Sequence, residues 1–189
     1  MPTQPRTTAQ VAQRARLADA ATAWRGLTAA QRAAWTAFGN SFKVVNSLGQ
    51  SNNMTGLQAF VKVNTVNSLN GGAQVTAPPA LPSFIPLTVT GMTATAGTQL
   101  LELTGTSPAS GTIFMVYAAA QKSAGVTFVN NYKFLASFTT ATSGEFVITT
   151  PYTAAFGALV IGKQVFVKVV QSQAGMQDNG TVFSTVILT

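Results

Sequence analysis

Residues 73–86, AQVTAPPALPSFIP, hold four of the chain's eight prolines, and the hydrophobic pattern has a different period on either side. Proline fixes φ and has no amide donor, so such a stretch interrupts helix and sheet alike. Segment 73–86 reads as an extended linker. It divides the 189 residues into a helical unit over 1–72 and a strand-rich unit over 87–189, each long enough for a small core.

One start signal occurs three times before the linker: Thr7 with Gln10, Thr28 with Gln31 and Thr55 with Gln58. At this spacing the Thr hydroxyl accepts from an orphan amide of the first turn, and the Gln reaches back to the amide of the Thr. The spacing predicts helices over about 8–25, 29–38 and 56–69. Gly26 closes the first, Gly39 with Asn40 stops the second, and Asn70-Gly71-Gly72 stops the third. The third presents Leu57, Phe60, Val61 and Leu69 as its apolar face, and its β-branched Val63, Thr65 and Val66 require tertiary support. Residues 40–54 read as an extended loop with one short strand.

Beyond the linker the period falls to two. Runs at 87–95, 98–105, 111–119, 131–140, 144–150, 163–172 and 180–188 are strand-like, and glycine-bearing turns separate several of them. Tyr132, Phe134, Ala136 and Phe138 form one alternating stripe, and Val165, Val167 and Val169 another. Seven short strands over about a hundred residues is the pattern of an immunoglobulin-like sandwich. The expected fold class is α+β, a helical unit of about three helices followed by a seven-stranded immunoglobulin-like β-sandwich.

Composition excludes most chemistry. The chain has no Cys and no His, which removes disulfides, thiolate nucleophiles, Cys/His zinc sites and the usual proton shuttle. The acids Asp19, Glu102, Glu145 and Asp178 stand apart in sequence and read as solvated carboxylates, and a Ser nucleophile would have only Lys as its base. Gln177-Asp178-Asn179-Gly180 offers two side-chain oxygens of the kind calcium takes, but Asn-Gly reads better as a turn. No catalytic residue, cofactor or metal is expected. Only 8% of residues are charged, against roughly 25% in ordinary domains, and polarity comes from Thr, Ser, Gln and Asn. Such a surface suits life packed against other subunits. MPTQPRTTAQ lacks the apolar core of a secretory signal, and no apolar run reaches membrane-spanning length. These features together fit a particle assembled in the cytoplasm and released by lysis.

The charge is uneven. Residues 1–80 carry seven Arg and Lys against Asp19, a net +6, whereas 81–189 carry four Lys against three acids, a net +1. A basic helical unit attracts an acidic partner, a protein surface before nucleic acid at this charge density. The docking candidates are Arg6, Arg14, Arg16, Arg25 and Arg32, with the aromatics Trp24, Trp35 and Phe38 of WRGLTAAQRAAWTAF. The two Trp rings serve either as the core of a small helical unit or as anchors against a neighbour. In the second unit Phe128, Tyr152 and Phe156 are candidates for exposed recognition loops.

Two resemblances bear on this reading. Trp24, Leu27, Thr28, Gln31, Arg32, Ala34, Trp35 and Phe38, followed by Ala59, Phe60, Val61 and Asn64, resemble a group of small uncharacterised phage and prophage proteins over residues 20–80. Residues 83–189 resemble a fibronectin type III domain, best over GKQVFVKVVQSQAGMQDNGTVFSTVIL. That family's corner Tyr aligns with Val165, and Leu101 or Leu103 stands nearest its strand-B Trp. The resemblances imply a virion setting without a chemistry. The expectation is a non-enzymatic structural protein of a phage-like virion, docking through its basic half onto capsid or head–tail proteins as a decoration, cement or adaptor component. A host-recognition or glycan-binding module is the alternative, and a DNA-binding protein a remoter one; no membrane is expected.

Overall fold

Each of the three Thr-x-x-Gln boxes makes both of its hydrogen bonds, so the helices begin where the side chains cap them. They start α1 (Thr8–Gly26), α2 (Ala29–Asn40) and, after a hairpin, α3 (Gly56–Leu69). The hairpin pairs β1 (Lys43–Val45) antiparallel to β2 (Ser51–Asn53), in place of the one short strand expected. The computed structural model describes residues 7–45, 48–81, 84, 87, 89–106, 111–139 and 144–189, without the side chains of Val44 and Val45. The chain divides into two compact units, Met1–Leu81 with Ala174–Met176, and Pro82–Gln173 with Gln177–Thr189.

In the first unit α3 packs on both α1 and α2. Its buried face is Gly56, Ala59, Phe60, Val63 and Asn64, whereas Leu57 is exposed. The expected Leu57–Val61 face is therefore corrected by about one residue's rotation, and the reason is close approach to α2. A Cβ on Gly56 would lie 2.7 Å from Thr36 Oγ1 and 2.9 Å from Thr36 N, and one on Gly39 would lie 2.5 Å from Met54 O. Gly39 thus sits inside α2 as a contact glycine and does not stop the helix.

Asn64, 3% exposed, closes this unit from within. Its amide nitrogen donates to the carbonyls of Phe60 and Val75, and its oxygen accepts from the Val75 amide at 2.7 Å. The segment read as a linker from residue 73 is accordingly fastened to the helices at its start.

The second unit contains two antiparallel sheets. One has the order β3 (Val89–Thr95), β4 (Leu100–Gly105), β8 (Glu145–Val147). The other is built from β5 (Thr112–Ala118), β6 (Lys122–Ser123), β7 (Lys133–Phe138), β9 (Lys163–Gln173), β11 (Thr181–Val186) and the two-residue β10 (Met176–Gln177), of which Gln177 belongs to this unit. β9 is its hub, pairing with β5, β6, β10 and β11, while β7 lies outside β5. Leu101 and Leu103 from the first sheet and Phe114, Val116, Val165, Val167 and Val169 from the second share one apolar core.

Two features depart from the alternating pattern. The β5–β7 register shifts between Val116 and Tyr117, so Ala136 faces Val116 but Phe134 faces Tyr117. Slipping by one residue reverses the side-chain faces, which splits the expected Tyr132/Phe134/Ala136/Phe138 stripe. Phe138 and Leu135 join the core, and Phe134 meets Tyr117 with ring centroids 5.5 Å apart. The run 144–150 is strand only to Val147, after which α4 (Thr149–Phe156) turns the chain towards β9. The molecule is thus mixed α+β with antiparallel sheets. Among the described residues no helix is long and apolar enough to cross a membrane.

Candidate docking faces

The helical unit's aromatic residues form a connected cluster. Trp35 is fully buried, 5.2 Å from Phe60 and 5.5 Å from Phe38 between ring centroids, and Trp24 lies 5.5 Å from Phe60. Phe38 continues the chain of rings to Phe42 at 5.0 Å. The Trp35 indole N–H donates to the Thr76 carbonyl at 2.9 Å. Its polar edge is thereby satisfied inside its own chain, as a buried indole requires. Trp35 is core; Trp24 and Phe38 are half-buried and keep an accessible edge.

The arginines divide by role. Arg14 and Arg25 are exposed, eleven positions apart and nearly in line on the helix, about 16 Å along the α1 axis. Exposed Ala18 and Thr22 lie between them on the same face, Ala18 one turn after Arg14 and Thr22 one turn before Arg25. Arg16 sits half-buried on the opposite, packed face and donates to Gln13 Oε1 at 3.3 Å. Arg32 donates to the Arg25 carbonyl at 2.8 Å, placing its charge on the last turn of α1, where the helix dipole is negative. Arg6 lies outside the described residues. Along the 19 residues of α1 only Ala20 is buried, and Val11 and Leu17 are 50% and 43% exposed.

The three aromatics expected in recognition loops do not stand together. Tyr152 is completely buried, and its hydroxyl donates to the Ala119 carbonyl at 3.1 Å. Burial holds its phenol up to about pKa 12. Phe156 is half-buried at the end of α4, 5.1 Å from the Tyr152 ring, with the Lys133 ammonium 5.9 Å from its own centroid. Both belong to a helix rather than a loop, and their i, i+4 spacing puts them on one face, which packs on the core. Phe128 alone projects, at 77% exposed.

The acids also have places. Asp178 Oδ1 accepts from the amides of Gln171 and Gly180, so it braces the turn between β10 and β11. Glu102 and Glu145 occupy neighbouring strands β4 and β8, two register positions apart. Neither a family model, nor a curated protein, nor a solved structure matches the chain.

Proposed function

We propose that this chain is a non-enzymatic structural protein of a phage-like virion, assembled in the host cytoplasm. Its basic helical unit docks on an acidic surface of a capsid or head–tail protein, as decoration, cement or adaptor. The observation that carries the reading is the outward face of α1. It is long and sparsely buried, with Arg14 and Arg25 flanking the small side chains Ala18 and Thr22. Most helical stability in proteins comes from packing an apolar face, and α1 buries little within its own chain. Small side chains let a partner's backbone approach closely while the two guanidiniums pair with carboxylates at either end.

The second unit is read as a fibronectin type III-like sandwich. Its support is a three-strand sheet facing the order β7-β5-β9-β11 across one core, with the β8–β9 connection anchored by buried Tyr152.

Cross-linking mass spectrometry on released particles tests the docking reading. Cross-links from the α1 segment to an acidic stretch of another virion protein are expected. Absence of the chain from purified particles overturns it, and retardation of DNA by the chain at low salt would move the reading to nucleic acid.

A further inference from the structure

The second unit carries a groove of its own, built from residues that the docking reading does not use. Tyr117 of β5 and Lys168 of β9 are register partners and form its floor. Asn130 and Tyr132, on the segment leading into β7, form its wall. The open cavity they line together with Val170, Gln177 and Asp178 is about 340 Å³. Asn130 is also a wall of a second cavity, about 430 Å³, whose sides include Lys122 and the projecting Phe128. Both volumes fall in the range of small-molecule sites, roughly 300–1,000 Å³.

Rings and hydrogen-bonding groups alternate here. The Tyr117 ring is held by Phe134, and Tyr132 packs against the small cluster of Ala119, Val129 and Phe166. Both rings are therefore fixed platforms. The side chains of Asn130, Tyr132 and Lys168 have no hydrogen-bonding or ionic partner among the described residues. Asp178, the acid at the rim, commits Oδ1 to two backbone amides. The unspent groups are thus a phenol, an amide and an ammonium, beside the second oxygen of the still-charged Asp178 carboxylate, with a further ammonium from Lys122 in the second cavity.

We infer that this paired groove binds a saccharide bearing carboxylates, a uronic-acid-containing chain being the class that fits. Aromatic platforms suit the C–H faces of sugar rings, the amide and phenol suit hydroxyls, and the two lysines suit carboxylates spaced along the chain. Phosphate-rich ligands fit less well, because the lysines sit in separate cavities and no arginine fork lines either one.

The test is a nuclear magnetic resonance titration of the full chain with a galacturonic acid tetramer and, separately, a neutral galactose tetramer. The acidic tetramer should move the side-chain amide signals of Asn130 and Asn131. Lys168→Gln should weaken its binding about tenfold, the size expected for losing one charge-assisted hydrogen bond. Tyr132→Ala should abolish it, with the melting temperature checked so that a folding defect is recognised. Arg14→Glu, on the helical docking face, should leave it unchanged, so failure of the docking reading and failure of this one are separate results. Equal binding of both tetramers, insensitive to Lys168→Gln, would overturn the carboxylate assignment. No movement of the Asn130 and Asn131 signals at millimolar sugar would overturn the site itself.

Discussion

Asn64 does with one side chain what a strand partner does with its backbone. It pairs with both the N–H and the C=O of Val75, and it also satisfies Phe60 one turn earlier. Asn64→Ala removes these bonds and leaves two backbone groups of Val75 to find new partners. A loss of about 2–3 kcal/mol is expected, since each buried unsatisfied group costs roughly 1–3 kcal/mol. Both tryptophans lie in the helical unit, so denaturation followed by Trp fluorescence reports that unit alone. Tyr152 makes the matching case in the second unit. Its phenol is raised to about 12 by burial, against an ordinary value of 10.0. The unfolded chain therefore releases this proton first, and the contribution to stability is complete below pH 10 and lost as pH rises towards 12. Thermal melts of wild type should fall more steeply over that window than those of Tyr152→Phe. Phe keeps the ring but forfeits the hydrogen bond to Ala119, so the variant should be less stable at neutral pH by about 1 kcal/mol. Parallel pH profiles for the two proteins would refute this assignment.

At the scale of elements, a capping threonine and a contact glycine should both lose stability on replacement by alanine, for different reasons. Thr28→Ala removes a reciprocal cap and should cost the helical unit about 1 kcal/mol. Gly39→Ala would ordinarily stabilise a helix interior by about that amount. Here the added methyl would meet the Met54 carbonyl, which is backbone and cannot turn aside, so a net loss of about 1–3 kcal/mol is expected. Trp fluorescence melts check both, and a more stable Gly39→Ala protein would show that α2 and α3 can separate at little cost. These elements also show what a sequence can and cannot disclose. Thr28 and Gln31 announce a helix start because both partners of the cap lie within four residues. The reason for Gly39 lies in another element, so the sequence alone suggests only a stop. α4 is hidden because Phe146 and Ile148 continue a strand-like run directly into it. Its traces are Pro151 in a first turn, the Tyr152/Phe156 spacing and Gly157, whose φ of 86° with ψ of −178° is open essentially to glycine alone. The faces of β7 are illegible for a different reason, since a register shift follows from the pairing with β5. Of the docking candidates, the exposure of Arg14 and Arg25 is legible from helical phase; the capture of Arg32 by the Arg25 carbonyl is not.

At the scale of the whole molecule, the proposed docking is a statement about charge. The first 80 residues carry a net +6 and the remainder +1, so attraction to an acidic surface acts almost wholly through the helical unit. If Arg14 and Arg25 contact a partner, particles should retain the wild-type chain at about 0.1 M salt. They should shed much of it at about 1 M, where the screening length falls from roughly 10 Å to 3 Å. Replacing both residues by Glu puts two like charges against the acidic surface and should prevent incorporation. The melting curve should change little, because both side chains are exposed. Arg32→Gln supplies the contrast. It removes a cationic donor from the C-terminal turn of α1, so it should lower the stability of the helical unit by about 1 kcal/mol. Incorporation per folded molecule should remain near wild type. Two measurements separate adhesion from folding: quantitative mass spectrometry of washed particles reads the first, and Trp fluorescence reads the second. Particles that retain the doubly reversed chain as well as wild type would remove α1 from the interface and leave the half-buried edges of Trp24 and Phe38 as the next face to test.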